Sequence, residues 1–154
     1  MGIRAVLTRI PPEIFEAVRE SGGFEPNENL LSKKYNWFGF TSINLDKSWW
    51  ILNKAFVSAG PPLRHALEGD YFPEGGLDAF DGSDDVDSYL AYVSPANTKL
   101  ISMQLNDFPI KQALQALLED DVQYIEYCLP YFEDLVNLYE EATYYNEAVF
   151  ISVF

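Results

Sequence analysis

The chain has 154 residues, of which 48% are hydrophobic and 16% aromatic, and it carries a formal net charge of −14. This length suffices for one ordinary domain, and the high apolar and aromatic content excludes a disordered polypeptide. No apolar run reaches the roughly 18 residues that a membrane-spanning helix needs, so we expect no membrane-integral segment.

The first elements predicted are a strand and a short helix. Residues 3–10 contain β-branched side chains and end at Pro11 and Pro12, which predicts an N-terminal strand. Pro12 is suited to the first turn of the helix that follows. Residues 21–41 mix Gly, Pro and Asn with aromatic residues, so we predict an irregular connection there.

The clearest predicted helix covers residues 45–57. Its apolar side chains recur at helical spacing and share one face: Leu45, Trp49, Leu52 and Phe56. Asn44 is the predicted N-cap of this helix. One or two further helical turns are predicted after Pro62, ending at Gly69.

The middle of the chain predicts a loop, a strand and two helices. Residues 70–87 are rich in Gly and Asp and predict a long loop, and residues 89–93 predict a strand. Ser94 is the predicted N-cap of a helix that reaches about Leu105. Asp107 is the predicted N-cap of the next helix. The apolar stripe of that helix is Ile110, Ala113, Leu114 and Leu117.

The last part predicts a long helical region and a buried terminal strand. Residues 122–145 are predicted to be helical, with an interruption near Pro130. Asn146 is the predicted helix stop, and residues 148–154 form the predicted strand. The whole pattern predicts one α+β domain over residues 1–154, with several helices packed on a small sheet that includes the N- and C-terminal strands.

Short segments spread along the whole chain carry a family resemblance. They are Met1-Gly2-Ile3, residues 44–49 (Asn-Leu-Asp-Lys-Ser-Trp), Pro62-Leu63 with Gly69, and Tyr139 with Ala142 before the final strand. Together they resemble the YfbM-like family, a group of bacterial proteins defined as a domain of unknown function. The resemblance implies a single α+β domain and brings no established reaction. Family members often have a His four residues after this Trp, where this chain has Asn53, which puts in question any role resting on that imidazole.

Negative charge is concentrated in the second part of the chain. Residues 1–67 hold eight basic and six acidic side chains, whereas residues 68–154 hold two basic and 18 acidic ones. Such a field repels phosphate backbones and anionic membranes, so we expect no nucleic-acid partner and no membrane partner. It attracts a basic protein surface or a cation, and the alternative is that the charge only maintains solubility.

An acidic loop supplies most of the candidate binding residues. Its aspartates are Asp78, Asp81, Asp84, Asp85 and Asp87, and the last four are our candidates. Clustered carboxylate oxygens are the ligands that Ca²⁺ and Mg²⁺ require. The spacing does not match an EF-hand, because Val86 and Tyr92 stand where Gly and Glu are needed. A solvated loop is therefore the favoured interpretation, and we predict no metal site.

Trp50 is the remaining candidate binding residue. Successive helical residues point about 100° apart, so only one of the adjacent tryptophans faces the core squarely. Trp49 shares the apolar face and is predicted to be core, whereas an exposed Trp50 would mark a contact surface. The tyrosine-rich run from Tyr124 to Tyr145 favours packing at the edge of the core over a binding platform.

The usual reactive groups are scarce. His65 is the only histidine, which excludes a His-based triad and a multi-histidine metal site, and a boundary position is favoured over a lone base. Cys128 lies among apolar residues and is predicted to be a buried structural cysteine. Motifs for phosphate cradling, an α/β-hydrolase nucleophile or a zincin are absent from the sequence. We predict no catalytic residue and no cofactor.

Two functions remain open at this point. The favoured one is a protein-interaction module, such as an inhibitor or immunity-type protein, whose acidic second half engages a basic protein partner. The alternative is a hydrolase or transferase that uses acidic residues, with or without a divalent cation, in a cleft near residues 70–87. A single cysteine and no recognisable secretory signal lead us to expect a cytoplasmic location.

Overall fold

Four antiparallel strands form the sheet in the described part of the chain. They are β1 (Ala5–Ile10), β2 (Ser42–Asn44), β3 (Tyr89–Val93) and β4 (Ala148–Val153), and they lie in the order β2-β1-β4-β3. These bounds come from a computed structural model that describes residues 4–20, 40–70, 77, 89–119 and 121–153. The three predicted strands are confirmed. The sequence does not predict β2, because three residues are too few to show an alternating pattern.

The two ends of the chain pair with each other at the centre of the sheet. β1 and β4 run antiparallel over six residue pairs, from Ala5 opposite Val153 to Ile10 opposite Ala148. β4 also pairs with β3, so it has a strand on each side. Five of its six residues are buried, as expected for a strand that is covered on both faces. The predicted pairing of the terminal strands is confirmed.

Helices pack on both faces of this sheet. In the described residues the α-helices are α1 (Pro12–Glu20), α2 (Trp49–Ala59), α3 (His65–Glu68), α4 (Pro95–Asp107), α5 (Ile110–Leu118) and α6 (Val122–Tyr144), and a 3-10 turn at Asp46–Ser48 precedes α2. No helix of the described ranges is both long and apolar enough to cross a bilayer. The architecture is the single α+β domain that the sequence predicts.

The sheet separates two apolar clusters, because side chains alternate between its faces. Leu7 and Ile151 belong to the larger cluster, together with buried residues of α2, α3, α4, α5 and α6. Ile10 and Phe150 point to the other face, where they pack with Phe15 of α1. α1 therefore covers one face of the sheet, and the remaining α-helices cover the other.

The helix predicted from Leu45 begins later than expected. The chain first makes the 3-10 turn, and Asp46 has a left-handed φ of 47°. Asn44 Oδ1 accepts the backbone N–H of Asp46 at 2.8 Å, which is a local Asx-turn contact, and the predicted N-cap role of Asn44 on α2 is wrong. The predicted face is confirmed in that Leu45, Leu52 and Phe56 are completely buried, and Trp49 packs partly buried against the larger cluster.

Two predictions around α5 are wrong. Asp107 is the last residue of α4 and does not cap the next helix, because Phe108 before Pro109 has an extended conformation (ψ 125°) that delays α5 until Ile110. Leu117 is 41% exposed although its stripe neighbour Leu114 is completely buried. α5 ends at Leu118, and Leu118 packs against the larger cluster in place of Leu117.

The predicted interruption at Pro130 is also wrong. α6 continues through this proline for 23 residues, since Ile125, Cys128, Phe132 and Leu135 bury the same face on both sides of it. Pro130 has no backbone N–H, so one carbonyl group of the preceding turn loses its helical hydrogen bond. Because Pro130 is exposed, water can donate to this carbonyl instead. Asn146, with a φ of 55°, ends the helical region as predicted.

Gly69 ends α3 where the chain touches β3. Its φ is 84°, and a Cβ atom there would lie 2.7 Å from the Cβ of Ala91 and 2.9 Å from the carbonyl oxygen of Tyr92. Gly60, after α2, has a similar φ of 79°, but a Cβ atom at Gly60 would have no heavy atom of the described residues within 4 Å.

We expect Gly69→Ala to lower the free energy of unfolding by about 1–3 kcal/mol more than Gly60→Ala does. Both substitutions impose similar backbone strain, so the difference isolates the contact with β3. Urea titration followed by circular dichroism measures both losses. Equal losses would contradict the close packing of Gly69 on β3.

The adjacent tryptophans of α2 provide a second stability test. Trp49→Ala should lower the free energy of unfolding by about 3 kcal/mol, because its ring packs against the larger cluster. Trp50→Ala should cost less than about 1 kcal/mol, because Trp50 is 42% exposed. The same titration compares the two variants, and similar losses would show that the register assigned to α2 is wrong.

Candidate functional site

A groove of about 870 Å³ lies where β1 ends, α1 begins and α6 leads into β4. It forms because the antiparallel pairing of β1 and β4 sets Arg9 opposite Val149, close to the chain that leaves α6. Its charged lining residues are Arg9, Glu13, Glu140, Glu141 and Glu147, and its other lining residues are Pro11, Pro12, Asn137, Tyr144 and Tyr145. We call this cavity the Arg9 groove.

The Arg9 side chain lies at the base of this groove and is fully paired. Alternation along β1 puts Arg9 on the same face as Ala5 and Leu7, so its side chain is only 12% exposed. Its Nε donates to Glu147 Oε1 at 2.8 Å, and a second guanidinium nitrogen lies 2.8 Å from the same oxygen. The guanidinium also donates to Glu141 Oε2 and lies 5.2 Å from the ring centroid of Tyr145. This satisfies the requirement that a desolvated charge be paired.

Other carboxylates of the groove remain available. Among the described lining residues, four glutamates face one guanidinium, which gives this part of the lining a formal charge of −3. Within the ranges that the structure describes, neither Glu13 nor Glu140 has an ion-pair or hydrogen-bond partner, and both are exposed. The groove therefore has a local excess of negative charge that its own arginine does not neutralise.

Two exposed tyrosines form the rim of the groove. Tyr144 is 82% exposed and Tyr145 is 58% exposed, and their rings meet edge to face with centroids 4.9 Å apart. Aromatic faces of this kind attract cations and pack against apolar stems of long side chains. Among the described residues the groove is lined by carboxylates and tyrosine rings, and both kinds of group attract cations.

A smaller cavity of about 400 Å³ lies nearer the N-terminal end of α6. Its lining residues are Leu105, Asn106, Phe108, Phe132, Glu133, Val136 and Asn137. Asn137 also lines the Arg9 groove, so the two cavities meet at this residue. We call the smaller one the Phe108 cavity.

The histidine and the cysteine have structural roles. His65 Nδ1 donates to the carbonyl oxygen of Gly69 at 2.8 Å, which fixes the end of α3. Cys128 is completely buried, and burial raises the pKa of its thiol to about 11. A thiol with so high a pKa is protonated at neutral pH and is a poor nucleophile.

The structure leaves most of the predicted binding residues untested. Asp81, Asp84, Asp85 and Asp87 lie outside the described residues, as does most of the cleft that the hydrolase or transferase alternative requires. Trp50 is exposed on α2, and Lys54 Nζ lies 4.4 Å from its ring centroid. Among the residues that are described, no group of three or more His, Cys, Asp or Glu side chains could hold a metal ion.

The tyrosine-rich run divides into two parts. The rings of Tyr124, Tyr127 and Tyr131 contact one another in order at the edge of the core, with centroids 5.7 and 5.2 Å apart; the first pair is tilted and the second is edge to face. Burial, together with a hydrogen bond to Asp46, raises the pKa of Tyr127. The predicted packing role therefore holds for these three, whereas Tyr144 and Tyr145 are exposed on the Arg9 groove.

Sequence reasoning missed the groove because its residues come from both ends of the chain. A signal was present in Arg9, a charged residue on the strand face that otherwise carries the apolar residues Ala5 and Leu7, because a buried charge needs an acidic partner. A second signal was the sequence from Glu140 to Glu147, in which acidic residues flank two tyrosines.

The pairing of Arg9 with Glu147 gives a stability prediction. Arg9→Met should lower the free energy of unfolding by about 2–3 kcal/mol, since the side chain of Glu147 is only 11% exposed and would lose its cation. Glu141→Gln should cost at most about 1 kcal/mol, because that side chain is 58% exposed. Adding Glu147→Met to Arg9→Met should recover part of the loss. Urea titration of the three variants decides this, and equal losses for Arg9→Met and Glu141→Gln would refute a buried pair.

Comparison with known proteins agrees with this fold. The family model described as "Domain of unknown function (DUF1877)" matches residues 1–152. The crystal structure of a protein of unknown function, YfbM from Escherichia coli, has a similar fold, with a TM-score of 0.63, 14% sequence identity, and coverage of 98% of this chain and 99% of that one. No curated protein matches the sequence. Since the family model spans nearly the whole chain, this protein belongs to the DUF1877 family, and the YfbM-like resemblance of its sequence is confirmed.

Proposed function

We propose that this chain is a protein-interaction domain and that the Arg9 groove binds a basic segment of a partner protein. The observation that carries the proposal is a concave site with four glutamates, one internally paired arginine and two exposed tyrosines. Its volume of about 870 Å³ falls in the range of ligand-binding clefts, which is roughly 300–1,000 Å³.

The arrangement around Arg9 supports recognition of a cation. Glu147 and Glu141 already hold a guanidinium beside the ring of Tyr145, so the protein itself shows how these groups accommodate an arginine side chain. An incoming lysine or arginine would meet the two carboxylates that Arg9 leaves unpaired, those of Glu13 and Glu140. It would also lie beside the exposed ring of Tyr144. Charge-assisted hydrogen bonds and cation–π contacts would then act together.

The charge of the rest of the chain supports a macromolecular partner. Residues 68–154 hold 18 acidic and two basic side chains, so the negative field extends well beyond the groove. Such a field accelerates the association of an oppositely charged protein and loses strength as salt is added. An inhibitor or immunity-type protein is a specific form that this activity could take.

Binding of a fluorescein-labelled oligo-arginine peptide, followed by anisotropy, tests the proposal. We expect saturable binding at about 20 mM salt that weakens strongly at about 300 mM salt, because screening shortens the range of the interaction. The double variant Glu13→Gln/Glu140→Gln should weaken binding about fivefold, as expected for the loss of two exposed ion pairs.

A matched double variant provides the control. Glu20→Gln/Glu126→Gln also removes two charges from exposed residues, but neither residue lines the groove. Its affinity for the peptide should change less than about twofold, since only long-range attraction is lost. Equal weakening by the two double variants would show that the peptide responds to net charge and not to the groove, and absence of binding at low salt would overturn the proposed function.

A further inference from the structure

We infer that the partner segment is amphipathic, with basic side chains in the Arg9 groove and an apolar side chain in the Phe108 cavity. This inference rests on the proposed function and specifies the chemistry of the partner. It is carried by the junction, along α6, of an acidic groove with a cavity that has an aromatic wall.

The Phe108 cavity has a rigid apolar wall. The rings of Phe108 and Phe132 lie 6.3 Å apart, and both pack against Phe56 of α2, with centroid distances of 5.6 and 6.3 Å. Phe56 is completely buried, so the core holds these rings in place. With Leu105 and Val136 they leave a volume of about 400 Å³, which accommodates a large apolar side chain.

The two cavities are close enough for one short segment to occupy both. Asn137 lines each of them, and the stretch of α6 from Phe132 to Tyr144 spans about 18 Å at about 1.5 Å per residue. An extended segment of about six residues covers that length. A single peptide can therefore place a basic end over Glu140 and an apolar end against Phe108.

Charge complementarity identifies the occupant. Glu133 borders the Phe108 cavity, and Glu13 and Glu140 border the Arg9 groove, so the surface is negative beside both cavities. An acidic segment would be repelled, and a second copy of this chain brings a further net charge of −14. A basic segment that carries one large apolar side chain satisfies both cavities.

The probes are fluorescein-labelled hexapeptides, which are too short to form stable helices in water. One has Phe at one end and two Arg at the other, separated by Gly and Ser, and it is made in both chain directions. In its control, Ser replaces Phe. In one of the two chain directions, we expect the Phe peptide to bind about tenfold more tightly than the Ser peptide at about 20 mM salt, because it buries one large apolar side chain.

Two variants at Asn106 test whether the tighter binding of the Phe peptide depends on the Phe108 cavity. Asn106 is exposed and lines the cavity, so Asn106→Trp should occlude it without disturbing the core, whereas Asn106→Ala should leave it open. The preference for Phe should fall below about twofold in the Trp variant and persist in the Ala variant, while the Ser peptide binds both equally well. Thermal unfolding checks that both variants are folded.

The outcomes separate this inference from the proposed function. If the Phe and Ser peptides bind the unmodified protein equally well, or if the preference survives Asn106→Trp, the amphipathic partner is wrong while binding to the Arg9 groove stands. If neither peptide binds even at low salt, the proposed function fails and this inference fails with it.

Discussion

The pairing of β1 with β4 is the constraint on which the rest of the structure depends. It joins the two ends of the chain over six residue pairs and places them at the centre of the sheet. Because both faces of these strands are buried, each apolar cluster contains residues from both of them. The same register brings Arg9 and Glu147 together across a sequence separation of 138 residues, and so it creates the Arg9 groove.

The ion pair inside the groove has a structural and an electrostatic consequence. A buried ion pair contributes little net stability compared with apolar residues of similar size, but removing one partner is costly. The hydrogen bonds of Arg9 thus hold Glu147 and Glu141 in place beside Tyr145. It neutralises only part of the groove, and the carboxylates of Glu13 and Glu140 keep the lining negative. In the proposed function, an external cation binds to these unpaired carboxylates at the edge of the groove.

Hydrogen bonds of Tyr139, Tyr89 and Asp70 organise the end of α3 and the beginning of α4. Tyr139 donates to the carbonyl of Ala66 at 2.6 Å, and Tyr89 donates to the carbonyl of Glu68 at 2.7 Å. Burial raises the pKa of both phenols, so they remain protonated donors. Asp70 accepts hydrogen bonds from the backbone and hydroxyl of Ser94, which holds the start of α4. These contacts satisfy backbone groups and position α3 and α4.

Local features of the sequence were sufficient to predict much of this protein. Periodic apolar residues identified α2, α5 and α6, and Ser94 and Asn146 marked helix ends, because helix periodicity and capping depend on residues close in the sequence. The apolar runs at both ends predicted β1 and β4, whose burial requires a shared sheet.

Tertiary packing decided the features that residues close in the sequence do not determine. Burial on both sides of Pro130 kept α6 continuous, and β2 exists only because β1 offers it a partner. The Arg9 groove was beyond local reasoning for the same reason, since its carboxylates and its arginine meet only after the strands have found their register.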